Sequence, residues 1–214
     1  MDTGQRMDRM YRGQRHIYDL TRRYYLLGRD RLIARLDAEP GEAFCEVGCG
    51  TARNLIRAAR RYPATHWYGV DPSAAMLATA RRALDRAGVG DRVTLGRAEA
   101  ATLAPERDLG LTAPLDGVIF AFTLSMVPAW QPALDHALSL LRPGGSLHVV
   151  DFGDQAGLPG WFQRLLLAWL ARFEVHPRPE MADHLRARAA AGDGGFEAAA
   201  PYRGYAQLIR FEKA

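Results

Sequence analysis

The chain has a single lysine, Lys213, and only two cysteines, Cys45 and Cys49. So few cysteines exclude a disulfide framework. Their i, i+4 spacing would suit a metal pair, but no further cysteine or histidine stands nearby in sequence, so no metal is expected. No apolar run reaches the length of a membrane span. Residues 1–15 are polar and rich in arginine, without the apolar core of a secretory signal. These absences lead to the expectation of a cytoplasmic protein.

With lysine nearly absent, the positive charge is almost all arginine, and it is unevenly placed. Residues 1–35 hold nine arginines against four aspartates, while the remainder holds 19 basic and 20 acidic residues. The basic excess is therefore an N-terminal feature. It suits an anionic membrane surface, a nucleic acid or an anionic substrate, and equally a solvated helix face in an arginine-rich composition. No nucleic-acid recognition motif accompanies the arginines, and no nucleic-acid partner is expected.

What is present suits one α/β domain: 214 residues, 48% of them hydrophobic. Residues 14–36 carry apolar side chains at helical spacing (Ile17, Leu20, Tyr24, Leu27, then Leu32, Ile33, Leu36), with Gly28 as a joint. Residues 1–40 read as a helical cap on a core over 41–214. Strands are expected at 43–47, 65–70, 93–96, 115–122 and 146–152, and helices at 53–61, 73–87 and 131–141. Asp71 or Ser73 would cap the second of these helices. Strands alternating with helices argue for a parallel sheet covered on both faces. After residue 152 the order changes to two helices, 159–173 and 177–191, and two strands, 196–201 and 205–211, joined by a tight turn. The expected fold is a Rossmann-like, mostly parallel seven-stranded sheet closed by a C-terminal antiparallel hairpin.

The first strand ends in Gly48-Cys49-Gly50. Glycines there let the backbone turn sharply and approach a ligand. Alone, that signal is weak. Glu46 sits two residues before the turn, and Asp71 ends the second strand, 21 residues after Gly50. A carboxylate at that place can accept both hydroxyls of a ribose. Ala98-Glu99 follows the third strand, where an adenine ring would lie. A dinucleotide enzyme shares the first two elements but usually carries a third glycine, where this chain has Arg53. A nicotinamide-dependent oxidoreductase is thus the weaker alternative.

Glu46-Val47-Gly48-Cys49-Gly50-Thr51-Ala52 resembles the glycine motif of class I S-adenosylmethionine-dependent methyltransferases. The resemblance covers roughly residues 43–152. It implies that the turn cradles the methionine part of S-adenosylmethionine, that Asp71 holds the ribose, and that Pro72, Ser73, Met76, Ala98 and Glu99 lie about the adenine. It implies that Phe120, Ala121 and Ser125, at the end of the fourth strand, face the methionine amine and the incoming nucleophile. The Asn/Asp-Pro-Pro-aromatic motif of DNA-adenine and protein-glutamine methyltransferases is missing, which argues against those substrates.

A narrower resemblance lies outside the cofactor core. Residues 11–30, Phe122-Thr123-Leu124-Ser125-Met126-Val127-Pro128 and Asp151-Phe152-Gly153-Asp154-Gln155 look like the bacterial betaine-lipid N-methyltransferases. That resemblance implies a lipid partner, diacylglycerylhomoserine, whose amine is methylated three times, and contact with the inner face of the membrane. Another small-molecule or lipid acceptor is the alternative. Successive methylation needs a pocket that admits a quaternary ammonium, and aromatic faces stabilise such a charge. Tyr18, Tyr24, Tyr25 and Phe122 are the candidates, with Tyr18 and Tyr25 ahead of Tyr24, against the simpler reading that half of these are core aromatics. Arg29 or Arg203 would bind the head-group carboxylate. His16 or His148 would take the amine proton, although His148 also reads as a buried strand histidine. The 158–170 segment, apolar around most of its circumference with two tryptophans, suits either a lipid interface or burial on the sheet.

Overall fold

The computed structural model describes residues 25–214. His16, Tyr18 and Tyr24 lie outside the described residues, as does most of the expected cap. The part that is described begins with a short helix, α1 (Arg29–Ile33), entered through Gly28 at φ 100°. Its side chains Leu32 and Ile33, with Leu36 beyond, are buried. The expected glycine joint is therefore where the chain turns.

The sheet contains β1 (Ala43–Val47), β2 (His66–Val70), β3 (Val93–Gly96), β4 (Leu115–Ala121), β5 (Leu141–Phe152), β6 (Gly194–Ala199) and β7 (Ala206–Lys213) in the order β3-β2-β1-β4-β5-β7-β6. Strands β1 to β5 run parallel, β7 is antiparallel to β5, and β6 is antiparallel to β7. This is the expected fold class. Several bounds differ: the helix expected over 177–191 spans Met181–Ala190, the hairpin strands expected over 196–201 and 205–211 are Gly194–Ala199 and Ala206–Lys213, and β5 starts at Leu141 rather than Ser146. Leu115 pairs with Leu141 and Gly117 already with Ser146, so 142–145 bulge out of the ladder. Pro143 and two glycines suit a bulge better than regular strand.

Helices α2 (Arg53–Arg61) and α3 (Ala74–Arg86) cover one face of the sheet, together with α6 (Gly160–Ala171). Helices α4 (Pro105–Leu109), α5 (Trp130–Leu140) and α7 (Met181–Ala190) cover the other. The two cores follow strand alternation. On β1, Phe44 packs in the first core, and Cys45 and Val47 in the second. Glu46 consequently shares the face of Phe44 and meets α2. Helix α3 starts where Ser73 Oγ accepts the amide of Met76 at 3.2 Å, a cap typically worth ~1 kcal/mol.

Strand order reverses between β1 and β4: β2 and β3 extend to one side, β4 and β5 to the other. Connections leave in opposite directions at this place and open a crevice beyond the carboxyl ends of the strands. Among the described residues, no helix is long and apolar enough to cross a membrane.

Candidate active site

A crevice of about 720 Å³ opens at that reversal. Its size falls within the ~300–1,000 Å³ usual for small-molecule and cofactor sites. It is lined by the β1 end and glycine turn (Glu46 to Thr51), by Arg53, Asn54 and Arg57 of α2, and by Asp71, Pro72 and Met76 after β2. Ala98 to Ala101 after β3, Ala121 to Thr123 and Met126 to Ala129 after β4, and Leu26 and Arg29 beside α1 complete the wall.

The turn is tight for a physical reason. The amides of Gly48 and Cys49 both donate to Val70 O, at 2.8 and 3.0 Å, which folds the chain back over β2. Gly48 has φ 74°, and a Cβ there would lie 2.7 Å from Thr123 Oγ1 and closer still to Thr123 Cγ2. Only glycine fits between β1 and the β4 lip.

Two carboxylates face the crevice from neighbouring strand ends. Asp71 Oδ2 accepts the amide of Gly50 at 3.0 Å and Oδ1 that of Ser73 at 2.9 Å. Glu46 is 2% exposed; its Oε1 accepts Asn54 Nδ2 at 2.7 Å, and its Oε2 is buried without a hydrogen-bond partner. Burial pushes Glu46 up to about 7; the Asn54 bond, Arg29 and Arg53 pull it down, and Asp71 adds to the rise. The thiols of Cys45 and Cys49 are raised by burial and stay un-ionised, so neither is a nucleophile.

Phe122, on the β4 lip, has φ 57°, which is uncommon for an aromatic residue. Its amide donates to Val150 O at 2.7 Å, and its ring meets Phe152 edge-on with centroids 4.8 Å apart. Backbone strain of this kind concentrates at functional sites.

The crevice gathers most of the residues expected from sequence: Glu46, Gly48, Cys49, Gly50, Asp71, Pro72, Met76, Ala98, Glu99, Ala121 and Arg29. Three others stand behind it. Ser73 is fully buried as the α3 cap and orients Asp71 through its amide. Phe120 alternates onto the opposite face of β4 and packs in the second core. Ser125 is buried, with its amide on Asp151 Oδ2 at 3.1 Å.

The acceptor-side expectations fare less well. Tyr25 is not on the crevice wall; its ring stands edge-on to Trp169 at 4.7 Å, and its carbonyl accepts Tyr205 Oη at 2.8 Å. Among the described residues Phe122 is the aromatic that lines the crevice, so they do not build an aromatic cage there. Arg203 is exposed in the turn between β6 and β7, away from the crevice. His148 is the buried strand histidine: its Nε2 lies 2.9 Å from Ser146 Oγ, and burial, with some help from Arg210, pushes it down to about 3.

Arg53, Asn54 and Arg57 were missed by the motif reading. The spacing i, i+1, i+4 places them on one helix face, and that helix begins directly after the glycine turn. Arg53 stands where a dinucleotide enzyme would have its third glycine. It pairs with Asp30 of α1 at 3.1 Å, and Arg57 pairs with the same carboxylate.

A glycine turn against a reversal of strand order, two carboxylates at adjacent strand ends and a terminal antiparallel hairpin make up a Rossmann-like fold of the methyltransferase type. Residues 44–145 match the family model described as a methyltransferase domain. The trans-aconitate 2-methyltransferase of Methylobacterium radiotolerans is 34% identical over 118 residues, 55% of this chain and 41% of that protein. The chain thus spans less than half the length of the curated relatives it matches. Among solved structures, an O-methyltransferase family protein from Burkholderia thailandensis superposes with a TM-score of 0.72 at 19% identity, covering 99% of this chain and 63% of that one. Magnesium protoporphyrin IX methyltransferase from Synechocystis PCC 6803, with bound S-adenosylhomocysteine, does so at 0.65 and 19%, covering 98% and 94%.

The crevice residues fit the cofactor on their own geometry. The orphaned, buried Glu46 Oε2 calls for a cationic donor such as an ammonium. The cradle at Gly48 admits backbone-close contact, Asp71 suits a diol, and the small, apolar Ala98 lines the same crevice.

Proposed function

We propose that the chain methylates the amine of a lipid head group, diacylglycerylhomoserine, in three successive transfers that end in the trimethylated betaine lipid. The observation that carries the transfer itself is the crevice, in which Gly48, Glu46 and Asp71 converge at the strand-order reversal. When bound, S-adenosylmethionine supplies a methyl group on a sulfonium, open to in-line displacement by a neutral amine.

The chain's own residues have positioning roles. Glu46 and Asp71 hold the donor. Arg29, buried at the crevice wall, is suited to a head-group carboxylate. Phe122 offers a ring face to a growing cationic head group. The lipid acceptor is supported by the resemblance of residues 11–30, 122–128 and 151–155 to betaine-lipid N-methyltransferases. It is supported also by α6, which buries Leu166 and Leu170 but leaves Trp161 65% and Leu165 62% exposed. Aromatic and leucine side chains held outward in this way suit a membrane interface.

Arg29, Arg53 and Arg57 on one wall also favour a second reading, O-methylation of a soluble polyanionic acid. The test is to incubate the purified chain with methyl-labelled S-adenosylmethionine and either liposomes containing diacylglycerylhomoserine or trans-aconitate. Mass spectrometry should show mono-, di- and trimethylated lipid and unlabelled trans-aconitate. Label confined to the acid would replace the first reading by the second.

A further inference from the structure

Helix α2 begins at Arg53, so its second residue, Asn54, stands beside the turn and on the side of β1 that carries Glu46. Both ends of the Asn54 amide are engaged. Its Nδ2 donates to Glu46 Oε1 at 2.7 Å, and its Oδ1 accepts Arg53 Nη1 at 3.3 Å. A guanidinium has donors only, so Arg53 fixes which way the amide points. Arg53 is held in turn through Nη2 by Asp30 Oδ1 at 3.1 Å. A contact chain therefore runs from an exposed ion pair on α1 to a buried carboxylate in the crevice.

Resting on the cofactor reading above, we infer that Asn54 is the positioning residue for cofactor recognition. It holds the Glu46 carboxylate ionised through Oε1, so that Oε2 is kept for the amino group at the methionine end of S-adenosylmethionine. An N–H donor strengthens its bond when the acceptor is charged, so Asn54 favours the carboxylate over the acid. Glu46 Oε2 is buried and without a partner, which is costly unless a ligand completes it.

The other charged and titratable groups around Glu46 are Arg29 from α1, Arg53 and Arg57 from α2, Cys49 in the turn, Asp71 after β2 and Glu99 after β3. The β4 lip contributes only the uncharged Thr123 beside Gly48. Burial is the largest influence on Glu46 and raises it to about 7; the Asn54 bond is the largest opposing one.

The experiment is calorimetric titration of the full chain with S-adenosylhomocysteine and with its deaminated analogue, from pH 5.5 to 8. The ligand's α-amino group stays largely protonated up to about pH 7.7. Wild-type affinity for S-adenosylhomocysteine should fall on acidification through about pH 7. In Asn54→Leu that fall should move about one unit to higher pH, giving about fivefold weaker binding at pH 7 and about tenfold at pH 5.5, with most of the loss recovered by pH 8. Glu46→Gln should abolish the acidic limb. The deaminated analogue should respond to neither pH nor substitution.

Equal weakening of both ligands at every pH in Asn54→Leu would assign Asn54 a purely structural role and overturn the inference. An acidic limb that survives in Glu46→Gln would overturn it too, even if Asn54→Leu failed to fold. Wild-type chain that binds neither ligand at any pH would overturn the cofactor reading, and the inference with it.

Discussion

Asp71 Oδ2 accepts the backbone amide of Gly50 at 3.0 Å, which ties the carboxylate at the end of β2 to the glycine turn at the end of β1. Its other oxygen holds the Ser73 amide at the start of α3. Both oxygens are thus aimed by backbone amides at the crevice edge, the orientation that suits a carboxylate to a diol. Asp71→Ala should weaken S-adenosylhomocysteine binding by roughly ten- to a hundredfold, the range expected for hydrogen bonds to a charged group. It should also lower the melting temperature, because the Gly50 amide and the buried Ser73 amide lose their acceptor. Asp71→Asn should recover part of this at most, since its NH2 must face one of those amides. Unchanged affinity in calorimetry would remove Asp71 from the cofactor site.

Gly48 presents a steric test of the same turn. Its φ of 74° and the nearness of Thr123 act independently. Gly48→Ala should destabilise the fold in denaturant titration and impair ligand binding. Adding Thr123→Ala removes the Cγ2 and Oγ1 that a new Cβ would strike, and should return the steric part only. The left-handed backbone keeps its own cost of ~1–2 kcal/mol. A single variant as stable as wild type would mean that the lip moves freely, and the cradle would lose its role.

Two buried carboxylates should respond in opposite directions to loss of charge. Glu46 is raised to about 7 from an ordinary value of 4.5, and Asp151 to about 6 from 3.8, in both cases by burial above all. A raised folded value means that the native state holds the proton more tightly than the unfolded one. Stability of the ligand-free protein therefore falls as pH rises, between about 4.5 and 7 for Glu46 and between about 3.8 and 6 for Asp151. Glu46→Gln removes an uncompensated buried charge and can keep the Asn54 bond, so the ligand-free variant should be more stable than wild type at pH 8, by roughly 2–3 kcal/mol. Asp151 differs because both of its oxygens already accept backbone amides, Ser125 at 3.1 Å and Phe152 at 2.8 Å. Asp151→Asn must turn a donor toward a donor, and should destabilise by roughly 1–3 kcal/mol even at pH 8. Thermal melts of both variants at pH 5 and pH 8 read the two signs directly.

The parts of this molecule that were legible in sequence are those decided locally. The run Ala43–Val47 halts at a glycine that must adopt positive φ, so β1 has the bounds expected of it. Ser73 caps α3 through its own third neighbour, and Asp71 ends its strand two residues earlier. The less legible parts depend on which face of an element meets which neighbour. Phe120 and Ala121 are adjacent, yet alternation sends one into the core and the other to the crevice. Asn54 acquires a function only because Glu46 shares a face with Phe44 and that face meets α2. Tyr25 goes to Trp169, nearly 150 positions away, a contact that no local spacing announces.

The lipid reading makes its own demand on α6. Burying one large apolar side chain contributes ~1.5–3 kcal/mol, so Trp161 and Leu165 entering a lipid interface together should strengthen binding at least a hundredfold. Arg164 on the same helix and Arg172 at its C-cap are exposed and would add attraction to anionic head groups, screened by salt. Vesicle co-sedimentation should therefore show stronger binding to anionic than to neutral liposomes, and weaker binding as salt rises. Trp161→Ala with Leu165→Ser should abolish most of that binding while leaving S-adenosylhomocysteine affinity and the melting temperature near wild type, because neither side chain lines the crevice and both are mostly exposed. Methylation of diacylglycerylhomoserine in liposomes should then fall, and recover when the same lipid is offered in detergent micelles that need no docking. Equal activity of the double variant on liposomes would show that α6 takes no part in reaching the substrate, and would leave the lipid reading resting on residues 11–30, 122–128 and 151–155 alone.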